Sequence, residues 1–297
     1  MRVLNFGSLN IDYVYSVDHF VQKGETLASN ALNIYTGGKG LNQSVALGRA
    51  GVKTYHAGAI GEDGQFLLDF LKKSGVDTTY VLKTDETRTG NAIIQTDKTG
   101  DNCILLFGGA NQAISKHQVD ATLSCFDEDD FIVLQNEINE MPYIIQKAHE
   151  KGMIIVLNPA PMNKKVSEMP LQLVDYLVVN EIEAAQLLER TFSEEEDVVI
   201  ADALVEKFPN TKIILTLGEK GSIYIEGKKR IIQEIYKTKV VDTTAAGDCF
   251  IGYFVAAIMQ KKSVEEAMNL AAKASAIAVS KAGAAPSIPM MEEVLNH

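Results

Sequence analysis

The stretch Asp242-Thr243-Thr244-Ala245-Ala246-Gly247-Asp248-Cys249-Phe250 holds the residues best suited to chemistry in this chain, and an apolar helical pattern from Ile251 to Met259 follows it. The first N–H groups of a helix lack intrahelical partners and attract anions. The small Ala245, Ala246 and Gly247 let a phosphate come close to them. Asp248 puts an acid in the same place, which opposes anion binding unless the carboxylate serves as a base for an incoming hydroxyl. That pairing of anion hole and base is what phosphoryl transfer to an alcohol requires. The plainer reading is a first-turn Asp that complements the helix dipole, the commoner case for a lone Asp.

A second constellation is Gly37-Gly38-Lys39-Gly40-Leu41-Asn42-Gln43, between a β-type run and a helix ending at Ala50-Gly51. Its glycines permit close backbone approach, and Lys39 and Asn42 offer donors to hydroxyl or phosphate groups. It does not fit the GxxxxGK[ST] loop. Asn10 and Asp12 follow Gly7-Ser8 at a strand end, and alternation puts them on one face if the strand continues. With Lys39 and Asn42 they can grip vicinal hydroxyls; turn chemistry is the alternative. Asn180-Glu181-Ile182-Glu183 follows an apolar run. There Asn180 can touch a nucleotide phosphate and Glu183 can reach water on Mg²⁺, or the pair is a helix cap. Thr216-Leu217-Gly218-Glu219-Lys220-Gly221-Ser222 is a phosphate cradle or, more simply, a hairpin connector.

The elements that must position these residues alternate. Val3–Phe6, Phe131–Leu134, Ile154–Leu157, Tyr176–Val179 and Ile213–Leu217 are continuous apolar runs, as in parallel strands buried on both faces. Between them lie helical stretches at Leu41–Ala50, Gly64–Ser74, Met141–Lys151 and Glu181–Glu189, and the last third turns helical over Phe250–Met259 and Val264–Lys281. This order predicts an α/β sandwich with right-handed crossovers. Asn10–Tyr35 and Asn91–Phe107 read as β with no long helix between them. The second is a hairpin about Lys98-Thr99-Gly100-Asp101, and both are expected to form a small sheet outside the sandwich. Glu194-Glu195-Glu196-Asp197 reads as a solvated helix start.

The 297 residues suit one large domain with a small appendage, and 46% hydrophobic content allows a full core. A net charge of -11 argues against nucleic-acid or anionic-membrane partners, though not against an anionic substrate. Cys103, Cys125 and Cys249 have no metal-ligand or disulfide spacing. The start at Met1-Arg2-Val3 reads directly as a strand with no signal peptide, so the expected compartment is the cytoplasm.

Taken together, Gly7-Ser8-Leu9-Asn10-Ile11-Asp12, the Gly37–Gln43 stretch, Asn158-Pro159-Ala160-Pro161, Asn180–Glu183, Asp242–Asp248 and Gly283-Ala284-Ala285-Pro286-Ser287-Ile288-Pro289 stand in the order of the PfkB family of carbohydrate kinases. The chain resembles that family over essentially its whole length, most nearly the ribokinase branch. The resemblance implies a ribokinase-like three-layer α/β/α sandwich spanning residues 1–297, with a β lid from about 10–36 and 90–108. It implies ATP-dependent phosphorylation of a sugar's primary hydroxyl, D-ribose first. Asp248 is then the base, and the N–H groups of Ala245, Ala246 and Gly247 the anion hole. Asn10, Asp12, Gly38, Lys39, Asn42 and Glu137 match sugar-binding positions. Asn180, Thr216, Gly218 and Gly221 match nucleotide positions, and Glu183 the Mg²⁺-linked acid. Asp242, Thr244, Gly283 and Ser287, with the Lys281 carbonyl, match a K⁺ site. A homodimer through the lid is implied as well.

Three departures stand out: Leu41 in place of a small residue, Cys249 in place of Thr, and no proline before Gly24-Glu25-Thr26. Leu41 is expected to tighten the sugar pocket. Another acceptor (2-deoxyribose, fructose, 2-keto-3-deoxygluconate or a nucleoside) and a non-catalytic sugar sensor are the alternatives. A dinucleotide-dependent dehydrogenase is disfavoured, since Gly7-Ser8-Leu9-Asn10 is not GxGxxG.

Overall fold

In the computed structural model, residues 1–190 and 197–297 are described. In chain order the elements are β1 (Val3–Phe6), β2 (Asn10–Ser16), β3 (Ala31–Gly37), α1 (Lys39–Arg49), β4 (Thr54–Ile60), α2 (Gln65–Lys73), β5 (Val76–Lys83), β6 (Gly90–Thr96), β7 (Asn102–Phe107) and α3 (Lys116–Leu123). Next come β8 (Phe131–Gln135), α4 (Met141–Glu150), β9 (Ile154–Asn158), β10 (Tyr176–Asn180), α5 (Glu181–Leu187), α6 (Asp197–Lys207), β11 (Lys212–Thr216), β12 (Ser222–Glu226), β13 (Lys229–Gln233), α7 (Ala246–Met259), α8 (Val264–Val279) and α9 (Met291–Leu295). The charge run from Glu194 to Glu196 lies outside the described residues.

Nine of these strands form one sheet in the order β13-β12-β11-β10-β9-β8-β1-β4-β5. It is parallel from β11 to β5, and β12 and β13 extend it antiparallel. Alternate residues of the buried strands feed two cores. Val3, Val133, Val156, Val178 and Ile214 pack with α1, α7 and α8, while Leu4, Ile132, Ile155, Leu177 and Ile213 pack with α4, α5 and α6 on the other face. The helix–sheet–helix sandwich expected from the apolar runs is therefore present.

Four corrections to the sequence reading have local causes. β4 and β5 were not anticipated, because Tyr55, His56, Asp77 and the threonines interrupt their apolar character. α3, with few apolar residues, and the short α9 were likewise not anticipated. α1 begins at Lys39 and α7 at Ala246, earlier than the apolar periodicity implied, because the polar first turns of both helices face the site. Helix α8 ends at Val279 rather than Lys281, and Ser280 forms its C-cap.

A second sheet of four strands, in the order β3-β2-β6-β7, stands apart from the sandwich. The hairpin about Lys98–Asp101 joins β6 to β7, with the Gly100 N–H donating to the Asp97 carbonyl at 3.1 Å. Ile34, Tyr13, Ile93 and Leu105 stand in one cross-strand row of this sheet. Asp12 belongs to the adjacent row and therefore to the opposite face.

The site depends on close contact between α1 and α7. At Gly252 on α7, an added Cβ would lie 2.3 Å from the Ala46 Cβ and 3.0 Å from the Leu47 nitrogen of α1. Gly252→Ala is therefore expected to lower stability by about 1–3 kcal/mol through overpacking, although alanine has the better helix propensity. A melting temperature equal to or above wild type would contradict this account of the α1–α7 contact.

Candidate active site

β8, β9, β10 and β11 end in Gln135, Asn158, Asn180 and Thr216 along one rim, the usual ligand side of an open parallel sheet. β10 runs into Asn180, the N-cap of α5. Its Oδ1 accepts the Glu183 N–H at 2.8 Å, and its own N–H donates to Glu183 Oε2 at 3.1 Å. The cap reading of Asn180–Glu183 is thus correct, and the same two residues also line a crevice of about 230 Å³. Thr216, Asn158, Lys39, Thr243, the Ala245–Gly247 turn and Asp248 share its wall.

Ala245, the N-cap of α7, sits in the left-handed region at φ 61, unusual for a residue with a Cβ. This aims the first turn of α7 at the crevice, and a Cβ added at Gly247 would meet nothing within 4 Å. One donor differs from expectation: the Ala246 N–H is already given to the Thr243 carbonyl at 3.2 Å, closing the turn. Asp248 lies in the first turn of α7 and is buried. Asn42 Nδ2 donates to its Oδ2 and Gln43 Nε2 to its Oδ1, both at 2.9 Å.

The N-terminus of α1 is held by two groups far away in sequence. Its unpaired N–H groups need acceptors. The Lys39 N–H donates to Glu137 Oε2 at 2.8 Å, and the Gly40 N–H to Ser8 Oγ at 3.1 Å. Ser8 Oγ in turn donates to Glu137 Oε2. Glu137, Lys39, Gly38 and Ser8 thus meet at the base of the small sheet. Asn10 Oδ1 accepts from Asn111 Nδ2 at 2.7 Å, and the Asp12 carboxylate stands over Gly37, 2.1 Å from where a Cβ would be.

Charges converge here. The Lys39 ammonium is held charged above its ordinary range, mainly by Asp248 and then, against burial, by Glu137 and Glu183. Burial pushes Glu137 up, opposed by the Ser8 hydroxyl and Lys39, and burial likewise raises Glu183. Asp12 is pushed to about 7 by burial and then by the negative Glu137.

Not every expected residue reaches the crevice. The loop with Gly218 and Gly221 is the connector between antiparallel β11 and β12, and neither glycine lines the crevice. Gly221 answers a packing need, with φ 96 and a would-be Cβ 2.2 Å from the Gln233 carbonyl oxygen. Leu41 is fully buried in the α1–α7 core with Leu9 and Cys249, so its bulk goes to packing and not, as expected, to the pocket.

Of the residues matched to a cation site, Thr244 and Gly283 meet Asp242. Its Oδ1 accepts the Thr244 N–H and its Oδ2 the Gly283 N–H, each at 2.9 Å. Burial raises this carboxyl, but the bonds from Thr244 and Gly283 outweigh it and hold the group below its ordinary range. Ser287 Oγ donates to the Ala284 carbonyl at 2.8 Å, and the Lys281 ammonium pairs with Glu293 at 2.6 Å. Among the described residues, no three His, Cys, Asp or Glu side chains are grouped to hold a metal ion by themselves.

Ser8, Gln43, Asn111 and Gln135 were missed as site residues. Gln43 adjoins Asn42 on α1, and Gln135 is a polar side chain closing an apolar strand. A fully buried polar residue is itself a signal.

The raised Asp12 gives a signed expectation. The folded protein holds its proton up to about 7, above the ordinary value of 3.8, so its ionisation weakens the fold as pH rises through that interval. Asp12→Asn removes that cost. The rise in melting temperature is expected to be larger at pH 8 than at pH 5, and an equal or reversed gain would contradict the charge account.

Comparison with known proteins agrees with this geometry. The family model described as "pfkB family carbohydrate kinase" matches residues 2–291. The chain is 37% identical over 296 residues to a ribokinase of Haemophilus influenzae, covering 98% of this chain and 96% of that one. Among solved structures it is similar to an Arabidopsis thaliana ribokinase complexed with ribose and ATP, with a TM-score of 0.89, 29% identity, and coverage of 99% and 97%. It is also similar to a Cryptococcus neoformans ribokinase in complex with ADP, with a TM-score of 0.87, 34% identity, and coverage of 99% of each chain. With a family match over nearly its whole length and a rim that gathers Lys39, Asn42 and Asp248, the chain belongs to the pfkB family of carbohydrate kinases.

Proposed function

We propose that this chain is an ATP-dependent kinase that converts D-ribose to D-ribose 5-phosphate. The observation that carries the reading is Asp248: a buried carboxylate in the first turn of α7, bordering the crevice, with Asn42 and Gln43 fixing its two oxygens. The similarity to ribokinases, one of them complexed with ribose and ATP, supports the choice of substrates.

The sugar lies between the small sheet and α1, its hydroxyls within reach of Asn10, Asp12, Gly38, Lys39, Asn42 and Glu137. Asn42 Oδ1 is buried without a partner, an acceptor available to a sugar hydroxyl. The nucleotide occupies the crevice beside Asn180, Thr216 and Gly247, with Gly218 and Gly221 shaping the connector beyond Thr216. Asp248 takes the proton of the primary hydroxyl as that oxygen bonds to the γ-phosphorus. The bond from phosphorus to the bridging oxygen breaks and ADP leaves. Lys39 and the α7 N-terminus offset the charge on the transferred group.

Mg²⁺ would arrive with the nucleotide, and Glu183 would hold its water shell and supply the compensating carboxylate. K⁺ would be held by Asp242, Thr244, Ser287 and the Lys281 and Gly283 carbonyls. Beside the anion hole it would supply positive charge.

The small sheet serves as a lid over the sugar. Its row of Ile34, Ile93 and Leu105, all at least 40% exposed and facing away from Asp12, is covered by a second copy of this chain. No helix among the described residues is long and apolar enough to cross a membrane. With three free cysteines, the protein suits the reducing cytoplasm.

Coupled ADP release over pentoses, hexoses and nucleosides tests the function. Ribose-selective turnover stimulated by K⁺ is expected, and turnover confined to another acceptor would overturn the choice of sugar. Asp248→Asn is expected to fold as wild type and lose about 10²–10⁴ in kcat; wild-type turnover would remove the base from the scheme. Sedimentation is expected to give a dimer, and Leu105→Lys a monomer. A monomeric wild type would leave the apolar row unexplained.

A further inference from the structure

Asn5 in the middle of β1 and Gln135 at the end of β8 are fully buried amides to which the proposed phosphoryl transfer gives no role, and they connect to the buried Gln43 of α1. Asn5 Nδ2 donates to the Gly40 carbonyl at 2.9 Å. Gln135 Nε2 donates both to Asn5 Oδ1 at 3.1 Å and to Gln43 Oε1 at 2.6 Å. Gln43 Nε2 then donates to Asp248 Oδ1 at 2.9 Å.

Both ends of this chain are groups that only accept. The Gly40 carbonyl has no proton to give, so the nitrogen of Asn5 must face it. The Asn5 oxygen then faces Gln135, which answers with its nitrogen. The second hydrogen on that nitrogen engages the Gln43 oxygen, and the Gln43 nitrogen is left for Asp248. The arrangement has a cost: Gln135 Oε1 is buried with no partner. That oxygen lies against Gly7, 2.3 Å from where a Cβ would be. A buried acceptor left unpaired is tolerated when the alternative breaks more bonds, and turning the Gln135 amide would break two.

We propose that Asn5 and Gln135 are positioning residues that fix the amide polarity of Gln43, so that it presents N–H and never its carbonyl to Asp248. The inference rests on the reading of Asp248 as the base. With Asn42 on the other oxygen, both carboxylate oxygens then face donors. The charged groups around Asp248 are Lys39 from α1, Glu183 from α5 and Glu137 beyond β8, with the Cys249 thiol beside it on α7. None of them sets the orientation of Gln43.

Gln135→Met leaves the Gln43 oxygen without its donor, and Asn5→Leu removes the pin at the far end. In either variant Gln43 can turn its carbonyl to Asp248, which repels the carboxylate and accepts from the protonated carboxyl. The expected result is a fall in kcat of about 10- to 100-fold with the KM for sugar within about threefold. The acid limb of the kcat/KM profile moves to higher pH, so the loss is greater at pH 6 than at pH 8. An active wild type whose two variants keep its kcat and pH profile overturns the inference. So does a loss in which kcat and KM move together and the pH profile stays put, because that is structural damage alone.

Side-chain amide NMR of the full chain gives a readout that needs no activity. The Gln43 NH₂ resonance is expected to move in Gln135→Met and Asn5→Leu as it does in Asp248→Ala. An unmoved resonance in both overturns the relay. An inactive wild type with a moving resonance overturns the proposed function and leaves the relay standing.

Discussion

The start of α1 is the joint on which the site is built. A helix N-terminus with nothing but backbone donors needs acceptors, and here they come from β8 through Glu137 and from the β1–β2 connection through Ser8. One turn further on, Asn42 and Gln43 reach across to α7 and fix Asp248. Four segments remote in sequence are thereby registered against each other within a few ångströms. Loss of the α1 start would separate Glu137 and Ser8 from Asp248 even with the sandwich intact.

The site is crowded with acids in a chain already at -11. Asp248, Glu137 and Glu183 share one half-buried cation, Lys39, whose charge they hold in place, and Asp12 faces Glu137. An excess of carboxylates around one cation is unfavourable in the free protein and would be relieved by any hydroxyl donor or cation that binds among them. Part of the binding free energy is in this sense stored as electrostatic tension in the unliganded fold.

The sandwich was legible in the sequence because strands buried on both faces write themselves as unbroken apolar runs, as Phe131–Leu134 and Tyr176–Val179 do. β5 was not, since its threonines and Asp77 follow the needs of an edge. At the site, residues in dense motifs such as Lys39, Asn42 and Asp248 were readable. Asn5 and Gln135 were not, because a single amide within or closing an apolar strand has no local pattern. Its role exists only when β1, β8 and α1 lie side by side. Gly221 is ambiguous in the sequence for the converse reason: a glycine required by close packing against β13 reads the same as one required by a phosphate.

Only Ser8 and its two neighbours separate β1 from β2, so the small sheet springs straight from the centre of the large one. The Ser8 hydroxyl also holds Gly40, while its carbonyl takes the Leu41 N–H at 3.0 Å. The small sheet therefore has a short lever arm with its fulcrum on α1. A tilt of its strands bears directly, with no intervening domain, on the helix that carries Lys39 and Asn42.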